Sequence, residues 1–488
     1  MNLKIICISI GILATELLAA QDQTTELSLE QVVKIARLES PDAQTARHSF
    51  RSAYWNYKYY RANYLPNLTS DPNLNRAINK ITMGDGSVKF VEQNLLNTDL
   101  TLNLSQNIPW TGGSLFLETS AQRMDLFSEH KYSWQTSPIM IGYRQSLFGY
   151  NSLKWDKRIE PVRYQEAKKN YVETLELVSA NAINKFFALA TAQSNYDIAS
   201  FNYANADTLY RYAQGRYNIG TITENEMLQL ELNRLTEETN RMNARIEMDN
   251  CMQELRSYLG IQEEREIRVR VSSRIPNFSI NLNEALALAY ENSPDIQTMK
   301  RRKLESESAV ARARANAGLK ADIYLRFGLT QTADKLPEAY RNLLDQQYVS
   351  LSISLPILDW GRGKGQVRVA RSNRDLVYTQ VEQSRTDFEL NVRKLVKQFN
   401  LQTQRVRIAA RTDETAQRRN EVARKLYILG KSTILDLNAS ISEKDSARRN
   451  YVSALYNYWS LYYTLRSMTL YDFESNKLLT EDYNLLIE

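Results

Sequence analysis

LEQVVKIARLESPDAQT, from Leu29 to Thr45, returns in altered form as LNEALALAYENSPDIQT, from Leu282 to Thr298. The step between them is 253 residues. It pairs Ala36 with Ala289, Ser40-Pro41-Asp42 with Ser293-Pro294-Asp295, and Gln44-Thr45 with Gln297-Thr298. The same step pairs Arg61-Ala62-Asn63 with Arg314-Ala315-Asn316. Further along, the step becomes 210: Tyr217 pairs with Tyr427, Gly220 with Gly430, Thr223 with Thr433, and Glu226 with Asp436. The chain is therefore an internal duplication whose first copy carries a 43-residue insertion. Two unrelated helical halves of similar composition would not share landmarks in the same order.

Proline and glycine show what each copy contains. Pro161 and Pro276 bracket a proline-free tract, and no proline follows Pro356. Gly215 and Gly220 are the only glycines between Gly149 and Gly260, and Gly430 is the only one after Gly365. These tracts are rich in helix-favouring residues. Val172, Leu175, Ala182, Phe186, Leu189 and Tyr196 step by three and four, with Ser179 and Gln193 in the gaps. Phe388, Val392, Leu395, Phe399, Val406 and Ala409 do the same, with Gln402 in one gap. That is the coiled-coil pattern. A helix over residues 153–215 would be roughly 90 Å long at 1.5 Å per residue.

Between the helical tracts the period changes to two. Residues 99–106, 114–121 and 139–148 alternate apolar and polar, as do 322–330 and 349–357. Trp110, Trp134, Tyr143 and Phe148 lie in or beside the first set. Taken alone, such strand aromatics favour a core; the other reading is an interfacial girdle around a barrel. Each copy thus reads helix, strand pair, long helix, glycine turn, long helix. Two copies give four principal strands. Two strands per copy leave exposed edges, so closure requires an oligomer. The insertion adds a loop or an extra hairpin on the extracellular side. The expected organisation is a signal peptide over 1–20, repeats over 21–275 and 276–470, and a tail over 471–488.

The N-terminus has the secretory pattern: Lys4, an apolar run from Ile5 to Leu18, then Ala19-Ala20 before Gln21. Nothing after Cys7 marks a lipid attachment site. Cys251 is then the one cysteine left, so packing and not disulfides holds the fold. No later stretch approaches the ~18 apolar residues of a spanning helix. A barrel strand leaves a weaker hydropathy trace. The net charge of +6 is interspersed without a basic block, which gives nucleic-acid binding no support. With only His48 and His130, a His or Cys metal site is not expected. No cofactor is expected. No serine sits in a nucleophile elbow, and the chain does not read as an enzyme. GRGKG, from Gly361 to Gly365, follows a strand and opens a helix, but it lacks GxGxxG spacing and a Ser or Thr after the lysine. A flexible strand-to-helix corner explains it better.

Three features carry a family resemblance. They are the paired Ser-Pro-Asp helix starts, YILGKSTILDLNA from Tyr427 to Ala439, and two strand-to-helix corners. The corners are Gln145-Ser146-Leu147-Phe148-Gly149 and Leu355-Pro356-Ile357-Leu358-Asp359-Trp360-Gly361. In this doubled order, over nearly all of the chain after the leader, the sequence resembles the TolC family of outer-membrane efflux proteins. The resemblance implies a mainly α fold with a β-barrel part. A homotrimer would give four strands per protomer to a 12-stranded outer-membrane barrel, lipid outside. A coiled-coil tunnel of about 100 Å would extend into the periplasm. It also implies partners: a periplasmic adaptor (membrane fusion) protein and an inner-membrane pump, in a Gram-negative envelope. The adaptor would dock at the hairpin tips, here Gly220, Thr221 and Thr223 with Gly430, Lys431 and Thr433. Asp436, with Glu226 as its repeat partner, would ring the constriction. A second acid that many relatives carry three residues later is replaced by Ala439, which argues against a double ring.

The same residues have a second reading. Gly220 and Gly430 would end helices, and Thr223 and Thr433 would cap the next ones in boxes with Glu226 and Asp436. A different class of protein also fits the long helices alone: a secreted periplasmic coiled-coil adaptor or scaffold without a pore. It has no need of doubled strand pairs.

Overall fold

A computed structural model describes residues 25–82, 90–262, 266–429 and 431–487. The expected leader over 1–20 and Gly430 lie outside the described residues, as do the side chains of Thr25, 78–82, 90–93, Ile428 and Ile434. The first half runs β1 (Thr25–Ser28), α1 (Leu29–Glu39), α2 (Pro41–Ala62), β2 (Asn67–Thr82), β3 (Phe90–Ile108), β4 (Gly113–Leu126), β5 (Lys131–Ser146), α3 (Ser152–Asn218) and α4 (Glu224–Leu259). The second runs β6 (Ile267–Arg270), α5 (Leu282–Asn292), α6 (Pro294–Ala317), β7 (Lys320–Ala333), β8 (Leu344–Ser354), α7 (Arg362–Ile428) and α8 (Ile434–Thr469). Two-residue strands β9 (Tyr471–Asp472) and β10 (Lys477–Leu478) follow. Helices α3 and α7 are each 67 residues long, and α4 and α8 are each 36.

The doubled Ser-Pro-Asp is a helix-to-helix corner. Ser40 and Ser293 are fully buried and end α1 and α5 in extended backbone. Each hydroxyl accepts a backbone N–H of the next helix, from Ala43 at 3.1 Å and from Asp295 at 3.2 Å. Proline then opens that helix, where its missing N–H costs nothing. Ala36 and Ala289, equivalent in the two copies, are both fully buried one turn earlier.

The chain forms two compact units, each drawing on both halves: residues up to Arg51 with Ala167–Ile296 and Thr386–Glu488, and Ser52–Glu166 with Gln297–Arg385. In the first unit the 3-4 stripes are interior. Val172, Leu175, Ala182, Phe186 and Leu189 are buried on α3, and Phe388, Val392, Phe399 and Val406 on α7. The polar residues in the gaps are satisfied locally. Ser179 donates to the Leu175 carbonyl at 2.8 Å, and Gln193 accepts the Val269 N–H at 3.2 Å. Parallel strands β1 and β6 pair here, and Asn400 holds both the N–H and the carbonyl of Ile280 at 2.9 Å. Phe278, Phe399, Tyr458 and Tyr462 form an aromatic core.

A charge lies inside this unit. Glu176 is fully buried between Arg37 and Arg466, with Arg466 Nε 2.9 Å from Oε2. Arg37 also reaches Glu481 at 2.7 Å, which ties the C-terminal segment to α1.

The second unit holds an antiparallel sheet ordered β2-β3-β4-β5-β7-β8. β2 and β7 follow equivalent helices, and β5 and β8 precede the two long ones, so these are the four principal strands. β3 and β4 are the insertion. Of the two expected forms, a loop or an extra hairpin, it takes the second, and both its strands lie within the sheet. One sheet face is apolar and exposed: Leu100, Leu102 and Leu104, Leu115 and Leu117, Ile139 and Ile141, Phe327, and Val349, Leu351 and Ile353. The other carries Asn97, Asp99, Thr101, Asn103, Glu118 and Arg326, mostly half-buried. Phe116 lies across Gly142, where a Cβ would come within 2.0 Å of its ring, and it stacks on Tyr324 at 5.9 Å. Trp110 and Phe148 are not core residues: both are exposed, Trp110 by 83 %. No described helix is long and apolar enough to cross a membrane.

Two outcomes are expected. Glu176→Ala leaves two guanidiniums without their shared carboxylate, and should cost about 3–5 kcal/mol in denaturant unfolding; a loss within about 0.5 kcal/mol, the range of a surface change, would show the cluster to be idle. Burial, with repulsion from Asp295, raises the Glu173 carboxyl from its ordinary 4.5 to about 7. The folded state therefore holds this proton at a pH where the unfolded chain has released it. The stability so contributed is full below 4.5 and is lost as pH rises through 7. Glu173→Gln should remain stable across that window where the parent weakens; parallel pH profiles would contradict this.

Candidate functional site

Each long helix ends in a tip built by short-range chemistry. At the first, Gly220 has φ +76° and donates its N–H to the Tyr217 carbonyl at 2.8 Å. No neighbour crowds it, so the positive φ alone is what calls for glycine there. The Thr221 N–H and hydroxyl both reach the Arg216 carbonyl at 2.9 Å. Thr223 then caps α4: its Oγ1 accepts the Glu226 N–H at 3.3 Å, and the Glu226 carboxylate accepts the Thr223 N–H at 2.9 Å. The second tip repeats this. Lys431 donates its N–H to the Leu426 carbonyl at 2.9 Å. Thr433 Oγ1 accepts the Asp436 N–H at 3.2 Å and donates to Asp436 Oδ2 at 2.6 Å. Ser432 adds a hydroxyl at 3.4 Å.

The capping reading is thus what the geometry contains. Thr223 with Glu226, and Thr433 with Asp436, are complete capping boxes. Hydrogen bonds from Thr223 hold the Glu226 carboxyl below its ordinary range, and those from Thr433 do the same to Asp436. Both are therefore anionic at neutral pH, fully exposed, on the first turn of a helix. Each tip presents a fixed negative charge to solvent. Among the described residues no group of three or more His, Cys, Asp or Glu is placed to hold a metal.

Above the tips lie polar contacts that sequence reasoning missed. On the first hairpin Arg234, Arg241 and Arg245 of α4 sit over Tyr210, Tyr203 and Tyr196 of α3, the closest at 4.2 Å. The tyrosines recur every seven residues, and so do the buried Ala192, Ala199, Ala206 and Ala213 of α3. On the second hairpin buried Asp413 meets Arg448 at 3.2 Å, and buried Asn420 donates to Ser440 at 3.0 Å. Nearer the tips than the Glu176–Arg466 pair, Asn202 of α3 donates to Asp445 of α8 at 2.9 Å, beside Lys444 over Phe201. A signal for this existed. Asp413 and Asn420 continue the seven-residue step of Phe399 and Val406, so they were due to be buried.

The GRGKG corner is not an anion site. Asp359 accepts the N–H groups of Gly361 and Gly363, both at 2.9 Å, so its own carboxylate takes the place a phosphate would need. Those bonds also hold its carboxyl below the usual range.

Comparison with known proteins agrees with this architecture. Residues 285–469 match the family model described as outer membrane efflux protein. The Campylobacter jejuni CmeC outer membrane channel shares the fold with a TM-score of 0.69, at 16 % identity over 94 % of this chain and 88 % of that one. The outer membrane protein VceC of Vibrio cholerae aligns with a TM-score of 0.63, at 15 % identity over 90 % and 95 %. The open state of the Neisseria gonorrhoeae MtrE outer membrane channel gives 0.60, at 14 % identity over 93 % and 90 %. No curated protein matches the chain in sequence.

Thr223→Ala and Thr433→Ala should each destabilise their tip by about 0.5–2 kcal/mol. Amide exchange at the first turns of α4 and α8 should speed up in the matching variant only. Unchanged exchange would show that the boxes do not hold the tips.

Proposed function

We propose that this chain, a member of the outer membrane efflux protein family over residues 285–469 and of that fold throughout, is a trimeric efflux or secretion channel. The observation that carries the reading is a sheet with one face apolar and one face polar, on a chain that also builds two long helical hairpins. A pore-free scaffold needs no such sheet. In a bilayer every backbone N–H and C=O must be paired within the protein, so a sheet enters lipid only as a closed barrel. One chain leaves β2 and β8 with a neighbour on one side only. Copies of the chain complete the pairing.

The hairpins serve as the periplasmic conduit, and their tips as the docking point for an adaptor joined to an inner-membrane pump. The docking surface comprises Gly220, Thr221 and Thr223 with Gly430, Lys431 and Thr433. Conduction is passive: the chain binds no nucleotide and breaks no bond. Three copies of Asp436 around one axis make a ring of carboxylates, with Glu226 a second acid on the neighbouring tips. Such a ring favours cations and slows divalent ions. The caps support this role, because a carboxylate held in a capping box stays ionised and points in a fixed direction.

Planar-bilayer recording tests the reading, with trimer mass checked by crosslinking. The parent should give cation-selective steps. Asp436→Ala should reduce cation preference several-fold and weaken divalent block, while the trimer persists. Unaltered selectivity would remove Asp436 from the constriction, and a protein that never inserts would remove the channel.

A further inference from the structure

Resting on that channel reading, we propose that the inserted hairpin β3–β4 is a lipid-facing part of the barrel wall, so each protomer gives six strands and three copies close an 18-stranded barrel.

Four observations place it there. The apolar face continues into the insertion at Leu100, Leu102 and Leu104 of β3 and Leu115 and Leu117 of β4, with Gln106 and Thr119 as polar neighbours on the same face. Reading across the strand register, Leu68, Leu104, Leu117, Ile141 and Phe327 form one row, and Leu115, Tyr143, Leu325 and Val349 another. Leu104 and Leu117 are exposed like their principal-strand neighbours, though somewhat less, at 39 % and 40 % against 44 % for Phe327 and 50 % for Ile141. A plug or an external loop would meet water or protein on both faces and would not keep a strict period of two.

The opposite face is knitted to the principal strands. Glu118 of β4 pairs with Arg326 of β7 at 2.9 Å, reaching across β5. Phe116 of β4 fills the space above Gly142 of β5. The principal sheet thus takes a counter-charge and a ring from the insertion.

The β3–β4 turn is tied to the helix-side corners. Asn107 donates to the Asn63 carbonyl at 3.0 Å, Gln106 to that of Tyr64 at 3.0 Å, and Asn151 to that of Pro109 at 2.9 Å. These bonds fix both ends of the turn at the level where α2 passes into β2 and where α3 begins. The turn also carries Trp110 into solvent at 83 % exposure, as the corners carry Phe148 and Trp360. Aromatics in that place mark the edge of a bilayer.

Barrel diameter grows roughly linearly with strand number, so 18 strands give a bore about 1.5 times that of 12. Barrels of 16–18 strands are wide enough to hold an aqueous channel. The outer-membrane section would then pass bulkier cargo than four strands per protomer allow, and size selection would fall to the hairpin tips.

The test uses single cysteines in the Cys251→Ser background, labelled with bimane and reconstituted as trimers in vesicles containing brominated lipid. Leu100→Cys, Leu102→Cys, Leu104→Cys and Leu117→Cys should lose fluorescence to the same degree as the controls Ile141→Cys and Phe327→Cys. Asp99→Cys, Thr101→Cys and Asn103→Cys should keep theirs, and the same variants left without bimane should react with a charged maleimide. A variant that fails to assemble is replaced by the next position on the same face. Quenching of the controls with no alternation along β3 and β4 overturns the six-strand wall and leaves the channel standing. Unquenched controls would instead overturn the channel reading itself.

Discussion

Every exposed strand edge in a bilayer costs several kcal/mol for each backbone group left without a partner. A six-stranded sheet in one chain has two such edges, at β2 and β8. That constraint governs the molecule. On the channel reading proposed above, it calls for copies of the chain to meet edge to edge and for strand pairing unbroken from β2 to β8. It also explains why an insertion enters as a hairpin. One extra strand would reverse the direction of everything after it, whereas two restore it. The tied turn between β3 and β4 and the continuous apolar rows are what such an insertion must supply.

The helical unit meets a different constraint. Helices of 67 residues expose long surfaces and have only their neighbours to bury them against. Aromatic and aliphatic residues do this around Phe186, Phe399 and Tyr458. Nearer the tips the packing changes character. Alanines every seventh residue on α3 let helices approach closely, and Arg–Tyr contacts or buried Asp–Arg and Asn–Ser pairs take over from hydrocarbon. Polar pairs of this kind specify register more than they add stability, since removing one partner leaves the other stranded.

Much of this was legible in the sequence because it depends on local rules. The Ser-Pro-Asp corners, the two long helices, the positive-φ glycine at 220 and the Thr-to-acid capping boxes each follow from residues within one or two turns of each other. Strands β3, β4, β5, β7 and β8 showed in their period of two; β2, over Asn67–Thr82, did not. The duplication supplied the order, since each landmark could be checked against its twin. The aromatics were harder: between core and girdle the strands alone favoured core for Trp110 and Phe148, but both are exposed, Trp110 on the turn between β3 and β4 and Phe148 on the corner after β5.

What the sequence determined by itself was therefore the parts and their order: doubled helix corners, alternating strands, long hairpins, capped tips. Only the tertiary structure decided where the insertion goes, because the place of a hairpin in a sheet is set by strand pairing between distant residues, such as Gly142 with Phe116 and Arg326. Only it showed what the buried Asp413, Glu176 and Asp445 each meet. A charged residue at a heptad position looks like a gap in an apolar stripe until its partner, on a helix tens or hundreds of residues away, is brought beside it.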